Sequence, residues 1–168
     1  VEVIVHENTK ANMAKMIPNS TAADQTVPKQ TIFQLNNGRG LPKRTFKDKM
    51  TIFKGPDEID LFYFGRGHTD GDAFVLFPAL RIAHFGDIFS GKNLPLLDAN
   101  NGGSAALIAT TLQKAHDSLQ NVDTIITGHN PQMTRADLRE YIAFNREFFA
   151  EMEAARKAGK SIDDVAAS

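Results

Sequence analysis

The sequence predicts an α/β (α+β) domain, a mixed sheet with covering helices, and three observations carry that expectation. Short apolar runs bounded by Gly, Pro and Asn recur through the middle of the chain, as strands do. Amphipathic helical patterns alternate with strands only in the last third, so parallel and antiparallel neighbours should mix. Three of the strand-like runs end in glycine followed at once by a histidine or an aspartate.

The elements follow in order. Residues 1–6 (VEVIVH) read as a strand already under way, with no initiator Met. A domain seldom opens mid-strand, so sequence upstream is expected to have been removed. Asn8 is placed to cap a short helix with Met13, Met16 and Ile17 on one face, ended by Pro18. Residues 19–42 are rich in Ser, Thr, Asn, Gly and Pro and read as a long surface excursion, with Ile32, Phe33 and Leu35 as its one strand.

From Met50 the pattern tightens. Residues 50–54 and 58–64 read as strands joined by a Gly55–Pro56–Asp57 turn. Residues 73–77 (AFVLF) form a continuous apolar run, expected of a strand covered on both faces. Pro78 turns the chain into a further strand at 81–85. Ser104 is placed to cap a helix burying Ile108, Thr111, Leu112, Ala115 and Leu119. Residues 122–127 read as another strand. Thr134 and Asp137 make a capping box for a long helix to about Ala158. Leu138, Tyr141, Ile142, Phe148, Phe149 and Met152 form its apolar face, and Gly159 ends it. The expected division is one partial domain over 1–158 and a tail, or the start of a further helix, over 159–168.

Composition narrows the function. An apolar fraction of 42% and a charged fraction of 23% are ordinary for a globular domain. Nineteen basic against twenty acidic residues give a net charge of −1, so no field favours a nucleic-acid partner. No apolar run has membrane-spanning length, so no membrane partner is expected. Cysteine is absent, which removes disulfides and thiolate ligands.

The three strand ends carry the chemistry. Strand 58–64 leads into Gly65–Arg66–Gly67–His68, strand 81–85 into Gly86–Asp87, and strand 122–127 into Gly128–His129. If 73–77 returns antiparallel between the first two, and the helix after Gly103 crosses over, all three strands point the same way. His68, Asp87 and His129 then emerge at one sheet edge. Two imidazoles and a carboxylate suit zinc or a neighbouring first-row metal, and a carboxylate can bridge two ions. Asp70 and Asp72 lie in the Gly-rich turn after His68 and either cap that turn or orient the histidine. His84 shares a strand with Asp87 and reads as a packed or supporting residue, not a ligand. His6 and His116 read as a strand end and an exposed helix position. Asn93 opens a segment, 93–101, that should border a pocket with Leu94, Leu96 and Leu97 as an apolar rim.

Gly67–His68–Thr69–Asp70–Gly71–Asp72, Phe85–Gly86–Asp87 and Thr127–Gly128–His129 resemble the later metal motifs of the metallo-β-lactamase superfamily. The resemblance runs from Val1 to about Met152. It implies the C-terminal half of an αββα sandwich, with His68 on a first metal, Asp87 bridging and His129 on a second. It implies two zinc ions in the intact parent and a small-molecule substrate whose carbonyl or phosphoryl centre is attacked by a metal-activated hydroxide. Aspartate at position 87, where zinc β-lactamases tend to carry cysteine or serine, points to the thioesterase, lactonase and related branches. The family's first signature, His-x-His-x-Asp-His, is absent from the sequence. Zinc binding by this chain alone is therefore expected to be weak or absent, with little hydrolysis. A half sandwich should also leave one apolar sheet face for the missing N-terminal half, or for a second copy of the chain.

Overall fold

The computed structural model describes residues 2–15 and 32–166. The expected contributions of Met16, Ile17 and Pro18, and the excursion as far as residue 31, lie outside the described residues.

Strand β1 (Ile4–His6) leads directly into helix α1 (Glu7–Met13). The cap is His6 rather than Asn8: its Nδ1 accepts the Asn8 N–H at 3.2 Å, while its Nε2 faces the Lys47 carbonyl at 2.9 Å. Residues 32–35 are not a strand but a short helix, α2 (Ile32–Leu35). Asn37 and Gly38 take left-handed backbone angles (φ 53° and 76°), and the Gly38 N–H returns to the Phe33 carbonyl at 2.6 Å. That closes a helix end, so the Asn–Asn–Gly sequence acts as a helix stop. Strand β2 (Arg44–Phe46) pairs in parallel with β1 to form a separate two-stranded sheet.

The main sheet has five strands: β3 (Lys49–Ile52), β4 (Ile59–Phe62), β5 (Phe74–Phe77), β6 (Ile82–Gly86) and β7 (Thr124–Thr127), in that spatial order. The first three junctions are antiparallel and the last, β6 with β7, is parallel. Strands β4, β6 and β7 therefore run the same way, as expected. The crossover from β6 to β7 is helix α3 (Ala105–Ser118), and helix α4 (Arg135–Lys157) packs beside it. A short helix, α5 (Ile162–Ala166), follows Gly159.

The core lies between these helices and one face of the sheet. Phe74, Ala83, Phe85 and Ile125 from the strands meet Ile108, Leu112 and Ala115 of α3 and Leu138, Tyr141 and Ile142 of α4. Because side chains alternate along a strand, the registers put Met50, Ile52, Ile59, Leu61, Val75, Phe77, Ile82, His84 and Ile126 on the opposite face. Leu61 is buried there; the others are only half-buried. Strand β5 is thus closed on one side: Phe74 is fully buried, but Val75 and Phe77 look away from the helices.

Two helix expectations shift. Ser104 stands at the N-cap of α3, but its side chain makes no cap bond; its N–H donates to the Gly67 carbonyl at 2.8 Å instead. In α4 the capping box forms and Leu138, Tyr141 and Ile142 are buried, whereas Phe148 and Phe149 are half-buried and Met152 is 36% exposed. The cause is length. At 1.5 Å per residue, the 23 residues of α4 reach about 35 Å, against about 21 Å for the 14 of α3, so its far half outruns its partner. Among the described residues no helix is long and apolar enough to cross a membrane.

Candidate metal centre

Each of the three strand ends is built by local devices. After β4 the chain continues to Gly67, held by a hydrogen bond from the Thr111 hydroxyl to the Arg66 carbonyl (2.7 Å). The ring of His68 is fixed by its Nδ1, 3.0 Å from the Leu96 carbonyl, and its own carbonyl accepts the Asp98 N–H at 2.8 Å. After β6, Gly86 adopts φ 56° and ψ −144°, a region essentially confined to glycine. The Nδ1 of His84 accepts the Gly86 N–H at 3.1 Å and so supports this turn. Asp87 opens the next turn, anchored by fully buried Ile88 and Phe89. After β7, the Thr127 hydroxyl donates to the Asn130 carbonyl (2.7 Å), and the Asn130 amide donates to the Ser90 carbonyl (2.6 Å). That last bond staples the His129 loop to the loop following Asp87.

The three side chains meet. The Oδ2 of Asp87 lies 3.6 Å from the Nε2 of His68, and its Oδ1 lies 3.1 Å from the Nε2 of His129. The edge is open: the side chain of His68 is 19% exposed, that of Asp87 34% and that of His129 63%.

These distances bear on a metal. Two ligands of one zinc ion, each bonded at 2.0–2.2 Å in tetrahedral geometry, stand about 3.4 Å apart. Both imidazole–carboxylate pairs lie near that value. A carbonyl only accepts, so the His68 Nδ1 must carry its proton, and a neutral ring then turns the Nε2 lone pair toward a carboxylate oxygen. Two such acceptors repel unless a proton or a cation lies between them. The two pairs use opposite oxygens of Asp87, however, so each offers only two donors. Among the described residues no three His, Asp or Glu side chains converge as one metal-holding group. Each pair by itself therefore falls short of the three or four donors that a zinc ion takes.

The other expected residues sit around this edge. Asp72 caps its own turn, its Oδ1 and Oδ2 accepting from the Thr69 hydroxyl (2.6 Å) and N–H (2.9 Å); burial pushes its carboxyl pKa up. Asp70 accepts from the Asn12 amide at 2.8 Å. Neither carboxylate bonds the His68 ring, whose partner is the Leu96 carbonyl. Asn93 takes a bond from the Ser90 hydroxyl (3.2 Å) and lines a hollow with Lys92, Leu94, Tyr141 and Phe144, on the α4 side of the loop. Leu94, Leu96 and Leu97 are 62%, 46% and 36% exposed, on the segment bonded to His68. Asn8, Thr9 and Asn12, which bond the 69–72 turn, were legible only as helix residues, because nothing in their spacing names a partner.

The architecture has known counterparts. A metallo-β-lactamase from Pontibacter korlensis superposes with a TM-score of 0.63 over 87% of this chain and 58% of its own, at 18% identity. The fold is that of the metallo-β-lactamases. DIM-1 metallo-β-lactamase gives a TM-score of 0.57 at 22% identity, covering 68% of this chain and 53% of its own. VMB-1 gives 0.62 at 16% identity, covering 88% and 57%. The chain thus spans little more than half the length of these metallo-β-lactamase-fold structures. No family model and no curated protein matches the sequence.

Proposed function

We propose that this chain carries one part of a two-zinc hydrolase site, with His68 on a first ion, Asp87 bridging and His129 on a second. The observation that supports the reading is the Asp87 carboxylate, each of whose oxygens faces a different imidazole Nε2 at 3.6 and 3.1 Å. Bound zinc would supply a water of lowered pKa and polarise an ester, thioester, lactone or lactam carbonyl. The chain's own residues orient and bind. The Leu96 carbonyl fixes the tautomer and direction of the His68 ring, and Gly86 aims Asp87 outward. Leu94, Leu96 and Leu97 offer apolar surface to a substrate.

Two donors per ion fall short of the three or four that zinc takes, and the sequence holds no His-x-His-x-Asp-His. The remaining donors therefore belong to polypeptide outside these 168 residues, and the chain alone is inactive or nearly so. Native mass spectrometry with zinc, on this chain and on a longer protein containing that signature, tests the reading. Weak, substoichiometric zinc on the former and two ions with ester or thioester hydrolysis by the latter are expected. A longer protein that takes up no zinc would overturn it.

The half-buried sheet face of Ile52, Ile59, Phe77, Ile82 and Ile126 favours a second reading, a self-associating half-domain whose ligands are relics. Sedimentation of the metal-free chain decides this: a monomer throughout the micromolar range removes it.

A further inference from the structure

Helix α1 buries none of its residues, so the hydrophobic core gives no reason for it. Seven residues are also too few for a helix to persist unaided in water. What α1 does have is a set of polar side chains aimed at one turn. The Asn8 amide donates to the Asp70 carbonyl (2.8 Å), the Thr9 hydroxyl to the Gly71 carbonyl (2.7 Å), and the Asn12 amide to the Asp70 carboxylate (2.8 Å). The Asn12 amide also reaches the Asn101 carbonyl at 3.4 Å.

That turn is the one that follows His68. Contact with α1 is so close that a Cβ on Gly71 would lie 2.3 Å from the Thr9 hydroxyl and 2.7 Å from its backbone nitrogen. On the other side, the Asp70 N–H donates to the Asn101 carbonyl (2.9 Å) and the Asp98 N–H to the His68 carbonyl (2.8 Å). The 69–72 turn is therefore clamped between α1 and the 96–103 segment, which also holds the His68 ring through Leu96. The helix has its own anchor on the sheet side, where His6 stacks on Tyr63 with ring centroids 3.9 Å apart.

We propose that α1 is a positioning element for His68, acting through Asn8, Thr9 and Asn12 on the 69–72 turn. The inference rests on reading His68 as a metal ligand, and it adds a device that sets one half of the site independently of the other. His129 and Asp87 are held by Gly86, Gly128 and the Asn130–Ser90 bond, none of which involves α1.

The test uses the full chain labelled at histidine and at backbone nitrogen, in four forms: unaltered, Asn8→Ala/Asn12→Ala, Thr9→Val and Thr9→Ser. Zinc chloride is the probe, followed by NMR at the His68 and His129 rings, with amide exchange measured at 68–72 in its absence. In the double variant and in Thr9→Val, the 68–72 amides should exchange faster and the His68 ring should lose order. The zinc concentration that half-shifts His68 should rise by roughly 10–100-fold, the usual effect of losing an outer partner. His129 should respond at unchanged zinc, and Thr9→Ser should restore His68. Unchanged exchange and ring order would overturn the proposal. So would an equal weakening at both histidines, the mark of general destabilisation. If zinc shifts neither ring of the unaltered chain, as two donors per ion allow, the two-metal reading is left to the longer protein, and exchange and ring order decide the role of α1.

Discussion

Gly128 stands so close to Asp87 that a methyl group on its Cα would lie 2.1 Å from the carboxylate Oδ1 and 2.9 Å from the Gly86 carbonyl carbon. The carboxylate could swing aside; the Gly86 backbone, held between β6 and the Asp87 turn, could not. Gly128→Ala should therefore cost about 1–3 kcal/mol, as overpacking does, and displace Asp87 from His129. Urea unfolding reads the first effect and a zinc titration at His129 the second. A variant as stable as the parent with unchanged zinc response would show that the loop relaxes freely.

Thr111 is a core residue with a second task. It is buried on α3, and its hydroxyl bonds the Arg66 carbonyl, two residues before His68. Thr111→Val keeps the shape and leaves that carbonyl without its partner. The expected loss is about 1–3 kcal/mol, measured by urea unfolding, together with faster amide exchange at 66–68. Unchanged exchange would place the 66–68 segment under other control.

His6 makes stability depend on pH. Its imidazole is held below the ordinary 6.5, first by burial, against opposing effects of the Lys47 carbonyl and the charges of Glu7, Asp70 and Asp48. Its Nδ1 must remain unprotonated to accept the Asn8 N–H. With a folded pKa below the unfolded one, the unfolded chain binds more protons under pH 6.5. This contribution is therefore complete above about pH 6.5 and is lost as pH falls through the folded value. Urea midpoints measured downward from about pH 7.5 should fall for the parent and flatten in His6→Asn. An undiminished slope in that variant would assign the effect elsewhere.

Asp87→Asn keeps the side chain's shape and removes its charge. Because each carboxylate oxygen faces a different histidine, zinc responses at His68 and His129 should weaken together, by more than the roughly 10–100-fold typical of an outer partner. His129→Ala should weaken the His129 side alone. Retention of the His68 response in Asp87→Asn would argue against a bridging role.

How far the sequence reached differs by residue. The course of the sheet was legible because glycine followed by His68, Asp87 or His129 marks each strand end locally, and a helix-length crossover forces β6 and β7 to be parallel. The cap of α1 was not, since His6 earns that place through Lys47 and Tyr63, 41 and 57 residues away. Ile32, Phe33 and Leu35 make a short apolar run that suits a strand or a helix; the left-handed Asn37 and Gly38 decide for a helix. Phe148, Phe149 and Met152 have helical spacing, but periodicity says nothing about how far the neighbouring helix extends. The Leu96 carbonyl as the partner of His68 was invisible, because every residue carries a carbonyl and only the folded loop selects one.

Adjacent strands lie about 4.8 Å apart, and β6 and β7 are adjacent, whereas β4, which leads to His68, stands two places from β6. Asp87 and His129 are therefore a portable pair. A designer could transplant them to another parallel sheet by copying one ladder, Gly86, Gly128 and the Asn130–Ser90 bond. His68 would not travel so easily, since its address is written in three separate stretches of chain.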